Sequence, residues 1–386
     1  MSKTPTSTAA GPLANGGSAG ADHAAFRANS RFGSLDGLRA LSVAAVIWHH
    51  SGGGMVASEW AQHGHHGVTL FFAISGFLIT TLLLREHDRH GAIDLRAFYV
   101  RRALRIFPLY YAVLLTYVVL VFVLERHSKV GQDFFSNLIY FATYTSNWFV
   151  ALDGRVIFYF SWSLAAEEQF YLVWPPLMKR LGTRARALAV ALAAVVVIAL
   201  LDVLLPRWLP QSGSAQMVLR VVHNTPLAII VGVAAALLLH DPAGFARCRL
   251  WLAATRWHSA IWLALGVFAA VAPGLPWFTV HVALAMLVVA CCMREDHALA
   301  PLLQTRILVY LGTISYGLYL LHMLCKNFVG KVFAAAGIEL GAFGYFFATL
   351  LLSIVVAGLS YRYFESRFLR MKGRFERSGS PVPTPA

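Results

Sequence analysis

Arg39 and His50 stand eleven residues apart in the apolar run LDGLRALSVAAVIWHH. Eleven residues make about three helical turns, so both side chains share a face, roughly 16 Å apart along the axis at 1.5 Å per residue. A guanidinium at one end of such a helix can hold an anion, and an imidazole at the other can move a proton near neutral pH. The plainer account of the same residues is a topological anchor and an interfacial histidine.

Two further groups carry charge where an apolar helix would avoid it. In FYVRRALRIFPLYY, Arg102 and Arg105 are spaced i, i+3 and share a helical face, and Pro108 sits close to the start of a span. Paired guanidiniums offer planar forks of donors that suit phosphates, whereas an orientation signal needs only positive charge. In SWSLAAEEQFYLVWPP, Ser163 and Glu167 are i, i+4 on one face, and Glu168 points about 100° away. Capping of a helix start by Ser161 or Ser163 is the structural alternative.

Histidines 49, 50, 63, 65 and 66 crowd into a short stretch that includes HGHHG. They lack ordered ligand spacing with cysteines or carboxylates, so no metal is expected and a polar loop is the preferred reading. His322 shares a helix side with Ser315 and Tyr319 (i, i+4, i+7), which fits a core polar role as well as a chemical one. Cys248, Cys291, Cys292 and Cys325 lie in or beside apolar runs and read as small buried thiols.

The elements that must position these groups are membrane helices. Of 386 residues, 58% are hydrophobic and 13% charged, and the mean hydropathy is +0.63; soluble domains run nearer a quarter charged. The net charge of +14 comes from basic residues gathered in short loops between apolar runs, which fits membrane orientation better than nucleic-acid binding. Ten spans are expected, near 35–51, 66–84, 106–124, 162–178, 187–205, 221–240, 258–272, 276–293, 307–328 and 342–361. If 134–150 does not cross, 25 of the 32 basic residues fall on the cytoplasmic side together with both termini. The expected fold is thus all-α, a polytopic transmembrane bundle with residues 125–161 as an external loop. Residues 1–31 and 371–386, polar and small, read as disordered tails around one membrane domain at 32–370.

The blocks LDGLRALSVAAVIWHH, GVTLFFAISGFLITTLLLRE, FYVRRALRIFPLYY, SWSLAAEEQFYLVWP and SYGLYLLH occur in this order. Together they resemble the membrane acyltransferase family 3, which includes bacterial O-antigen and exopolysaccharide O-acetylases, peptidoglycan acetylases and macrolide acyltransferases. The resemblance covers about residues 33–370 and also implies ten core spans. It places the family's Arg and His on Arg39 and His50, its Arg-x-x-Arg pair on Arg102 and Arg105, and its Ser and Glu on Ser163 and Glu167. Ser75 and Gly76 match its FFxxSGF block, where small residues let helices approach. Ser315, Tyr316, Tyr319 and His322 match its SYxLYLxH block. Thr69 departs from an acid found in many members, and Glu365 is followed by Ser366 and Arg367 rather than by a residue and proline. Many members carry a fused extracytoplasmic esterase-like domain; none is expected here.

The expected activity is transfer of an acyl group, acetyl in the first instance, from cytoplasmic acyl-CoA to a hydroxyl of a glycan, lipid-linked glycan or macrolide. The protein would sit in the bacterial inner membrane and hold no bound cofactor. Arg39, Arg102 and Arg105 would bind donor phosphates. His50 would act as general base, with Glu167 orienting it and Ser163 behind; Ser75, Tyr319 and His322 are further acceptor or core polar candidates. The rival class is a proton-coupled transporter or flippase, although paired, broken half-helices in an inverted repeat are not evident.

Overall fold

A computed structural model describes residues 16–29, 31–56, 59–151, 154–209 and 213–375, and every regular element among them is helical. The first half holds α1 (Gly16–Ala28), α2 (Gly33–Ser51), α3 (His66–His90), α4 (Leu95–Leu124), three short helices α5 (Lys129–Ser136), α6 (Leu138–Ala142) and α7 (Ser146–Phe149), and α8 (Ser161–Leu181). The second half holds α9 (Arg184–Trp208), α10 (Gly213–His223), α11 (Leu227–Leu239), α12 (Pro242–Leu252), α13 (His258–Val271), α14 (Phe278–Met293), α15 (Ala300–Leu303), α16 (Arg306–Thr313), α17 (Ser315–Ala335), α18 (Ala342–Ser360) and α19 (Ser366–Lys372).

Helix ends follow local chemistry. The Asp94 carboxylate caps α4 by accepting from the Ala97 amide at 3.0 Å, and Asp241 caps α12 through the Gly244 amide, also at 3.0 Å. Gly91 and Gly182 end α3 and α8 in the left-handed region, at φ of 71° and 68°, which a side chain would disfavour.

Each of the ten expected span positions holds helix. By length and composition, four helical stretches suffice to cross a membrane: Ala61–His90, Leu95–Leu124, Arg184–Trp208 and Ala342–Lys372. Two bent pairs, α10 with α11 (41°) and α16 with α17 (75°), raise the number to six if each is one broken span. The 14-residue α13 and 16-residue α14 are shorter apolar helices, and α2 and α8 carry polar and charged side chains of the site described below. On α18, Phe343, Phe347, Leu351, Val355 and Leu359 recur every fourth residue, and each is at least half exposed. An apolar stripe left uncovered in this way suits contact with lipid.

Contacts link segments expected on the cytoplasmic side: Arg184 pairs with Asp241 at 2.7 Å and Arg249 with Asp22 at 2.8 Å, and the Nε2 of His240 lies 2.9 Å from the Asp88 carboxylate. Segment 134–150 forms no single spanning helix: α5, α6 and α7 have eight, five and four residues. They fold against α4 and α8 through Tyr110 to the Phe141 carbonyl (2.7 Å) and Gln169 to the Tyr144 carbonyl (2.8 Å).

The expected N-terminal tail needs correction over residues 16–29, because α1 is folded and docked. Arg85, buried at the end of the apolar part of α3, needs acceptors and donates to the Phe26 carbonyl at 2.7 Å and to the Asn29 carbonyl. Its guanidinium also lies 5.0 Å from the Phe32 ring centroid. Residues 1–15 lie outside the described residues. At the other end, helix and a short turn run on to Phe375, and residues 376–386 lie outside the described residues.

The bundle centre is built on α3 against α11. A Cβ on Gly76 would come 1.9 Å from the Ile229 carbonyl oxygen, and one on Gly232 would come 2.5 Å from the Ala73 carbonyl oxygen. The two backbones touch where both side chains are absent, which sets α3 rigidly beside the site.

Candidate active site

His50 ends α2, and His322 lies in the first half of α17. The Nδ1 of His50 is 2.7 Å from the Nε2 of His322, and the two ring planes are 11° apart with centroids 5.0 Å apart, so the rings meet edge to edge through this hydrogen bond. His322 is fully buried, and its Nδ1 faces the Tyr319 backbone carbonyl. A carbonyl oxygen only accepts, so Nδ1 of His322 carries the proton and its Nε2, in the neutral ring, is an acceptor. His50 therefore donates from Nδ1, which leaves its Nε2 as a bare lone pair. The tautomer of the first imidazole is set by the second.

Tyr319 ties this pair to α8. Its hydroxyl is 2.6 Å from the Ser163 hydroxyl and donates to the Phe160 carbonyl at 3.1 Å. Tyr159 stands edge-on to His50 with centroids 5.4 Å apart, and Phe160 packs on His322. Tyr159 and Phe160 also line a cavity of about 1190 Å³ between α4, residues 154–160, α17 and α18. Its wall is largely apolar, from Tyr117 and Leu324 among others, and Arg155, Lys326 and Lys331 add positive charge.

A second polar layer lies toward the other end of α2. Glu167 accepts from the hydroxyls of Ser75 and Tyr171, and the Tyr171 hydroxyl is 3.3 Å from that of Ser75. The Arg102 guanidinium rests over the Tyr171 ring, 5.2 Å from its centroid, and 5.8 Å from that of Phe98. Arg39 pairs with Asp36 at 2.9 Å and lies within the electrostatic reach of Arg105, which in turn reaches Arg102. Arg105 thus lies near both other arginines, whose charge Asp36 and Glu167 offset in part, and an anion would add to that neutralisation.

The layers revise one expected relationship. Glu167 does not hydrogen-bond His50; it holds Tyr171, on which Arg102 stacks, and His322 takes the place beside His50. Ser163 reaches the imidazole pair only through Tyr319. Tyr171 and Tyr159 were not among the expected site residues. Tyr171 had a local signal, being i+4 from Glu167 on the same helix face, whereas Tyr159 comes from an irregular segment without one.

An all-helical bundle with an imidazole pair near a cavity toward one end of α2 and arginines toward the other carries groups suited to group transfer. The chain belongs to the acyltransferase domain family, which it matches over residues 32–362. It is 30% identical over 362 residues to YrhL of Bacillus subtilis, provisionally named a peptidoglycan O-acetyltransferase, an alignment covering 86% of this chain and 54% of that protein. It is 27% identical over 357 residues to a provisionally named O-acetyltransferase of Staphylococcus aureus, covering 86% and 56%. It is 36% identical over 153 residues to the peptidoglycan O-acetyltransferase OatA of Listeria monocytogenes, covering 37% and 23%. The chain thus spans about half the length of the first two relatives. No solved structure matches it.

Proposed function

We propose that this acyltransferase moves an acetyl group from cytoplasmic acetyl-CoA, or another acyl-CoA, to a hydroxyl of a glycan acceptor in the bacterial inner membrane. The acceptor class covers surface polysaccharide, lipopolysaccharide, lipid-linked glycan and, by the relatives' names, peptidoglycan. The observation that carries the reading is the bare Nε2 of His50, beside a wall of the large cavity and on the same helix face as Arg39.

Arg39, Arg102 and Arg105 would take the donor's phosphates at the cytoplasmic mouth, and its pantetheine arm would bring the thioester toward His50. The acceptor hydroxyl gives its proton to His50 Nε2 as its oxygen attacks the thioester carbonyl. The C–S bond breaks, the ester forms, and the departing thiolate regains a proton from the imidazolium. His322 keeps the His50 ring oriented and shares the positive charge that develops on it. Glu167, through Tyr171, holds the Arg102 guanidinium in place for the donor.

Detergent-purified protein, free of any membrane gradient, should transfer acetyl from acetyl-CoA to a glycan acceptor or slowly hydrolyse the thioester. Donor turnover that requires a sealed membrane and a proton gradient would contradict this reading and favour a transporter. Mass spectrometry of surface glycans with and without the gene identifies the acceptor.

A further inference from the structure

The HGHHG segment does more than connect α2 to α3. A 3-10 helix, Glu59–His65, leads into α3 at His66. Its tight turn brings i, i+2 and i+3 together, so the available ligand nitrogens of His63, His65 and His66 all lie within 4.8 Å of one another. His63 and His66 stack with centroids 5.8 Å apart, and those of His65 and His66 are 4.1 Å apart. Nδ1 of His63 and Nδ1 of His66 are both buried without a hydrogen-bond partner. Two buried imidazole nitrogens without a partner are costly unless a ligand satisfies them.

The backbone that presents these rings is fixed. A Cβ on Gly64 would come 2.3 Å from the Ala45 carbonyl oxygen, and one on Gly67 would come 2.3 Å from that of Ser42. The segment therefore lies directly on the backbone of α2, and its three rings project from a rigid support. His65 turns its Nδ1 toward the Gln62 carbonyl at 3.3 Å, an arrangement that leaves Nε2 as the ligand atom and is common among metal-bound histidines. The titratable groups that act on His66 are imidazoles: His65, His281, His63 and His49. A cation placed here meets neutral donors rather than a fixed positive charge.

We propose that His63, His65 and His66 form a binding site for a divalent transition-metal ion, zinc by ligand type, with a fourth position open to solvent beside the exposed His65. Three imidazoles match the ligand preference of zinc, and copper or nickel would compete for the same set. The ion would clamp the 3-10 helix to the start of α3. His49, whose ring centroid is 5.4 Å from that of His65 and 5.2 Å from that of His50, links this clamp to the imidazole pair without being a ligand.

The test uses the full chain, purified in detergent through a tag without histidines, stripped with chelator and titrated with Co²⁺ and then Zn²⁺. One equivalent of Co²⁺ should give the intense visible bands of a tetrahedral site, and Zn²⁺ should displace it. Replacing His63→Gln or His66→Gln should weaken uptake at least roughly tenfold, as loss of a metal-supporting group does, while His49→Gln leaves it unchanged. In the unsubstituted protein, Zn²⁺ should protect these three histidines from diethylpyrocarbonate, as mapped by peptide mass spectrometry, a readout independent of whether any variant folds. Pale octahedral Co²⁺ bands, undiminished uptake by a variant carrying both His63→Gln and His66→Gln, or absence of protection would each overturn the site.

Discussion

The imidazoles of His50 and His322, 272 residues apart in sequence, are joined by a 2.7 Å hydrogen bond that fixes which nitrogen of His50 carries a proton. On the proposed mechanism the second histidine is a positioning residue, acting on the acceptor through the first. Removing it should leave His50 in place with its tautomer unset. Losing a hydrogen bond to a buried group costs about 1–3 kcal/mol, so His322→Ala should lower kcat by roughly 10–100-fold with KM for the donor little changed. His322→Asn or His322→Gln, which can present an amide oxygen to His50 Nδ1, should recover part of the loss. A merely structural histidine would instead move donor KM and yield together.

The arginines make a donor-side prediction. Arg102→Ala or Arg105→Ala should raise the acetyl-CoA concentration needed for half-maximal rate while leaving membrane insertion intact. Arg102→Lys should rescue only partly, because an ammonium lacks the planar fork and the flat face that rests over Tyr171. Titration of initial rate against donor checks this, and full activity of the double Ala variant at low donor would exclude phosphate binding here.

The α3–α11 contact gives a stability prediction. A Cβ at residue 76 would sit 1.9 Å from a backbone oxygen that has no rotamer to escape with. Gly76→Ala should destabilise the folded protein by about 1–3 kcal/mol, the range for overpacking a well-fitted site. Thermal unfolding in detergent measures it, with Gly20→Ala as the control because a Cβ there meets nothing within 4 Å. An unchanged midpoint would mean that the helices separate easily.

Topology is checked by labelling. The split of 25 basic residues against seven predicts residues 90, 183 and 375 inside and residues near 130 outside. Engineered cysteines at these positions, probed with an impermeant reagent in intact cells, should label only near 130. Labelling at 183 with protection at 130 would sink the ten-span arrangement.

Periodicity within one helix was legible in the sequence, and contacts between helices were not. The eleven-residue spacing of Arg39 and His50 places both on one face because helical geometry is local. The partner of His50 comes from α17, and no local spacing encodes that meeting. For the same reason Glu167 read as a partner for His50, although its nearest acceptor-seeking hydroxyls are Ser75 on α3 and Tyr171 one turn along α8. The docking of α1 was hidden because a small-residue, polar segment gains its fold from distant partners, Arg85 on its carbonyls, Phe245 against Phe26 and His23, and Arg249 beside Asp22. The histidines of HGHHG were visible in the sequence but read as a polar loop without a metal, since regular helix spacing does not describe how a 3-10 turn brings their rings together.

The central claim is that Nε2 of His50 takes the acceptor's proton. An amide at this position keeps polarity and hydrogen bonding but cannot accept a proton at neutral pH. The direct measurement is single-turnover acyl transfer from labelled acetyl-CoA by purified His50→Gln, beside His49→Gln, which lies about 100° around the helix. Losing general-base assistance costs about 10²–10⁴-fold, so His50→Gln should slow the transfer step by that factor while still binding donor, and His49→Gln should retain its rate. Near-normal transfer by His50→Gln, or a loss confined to His49→Gln, would contradict the assignment.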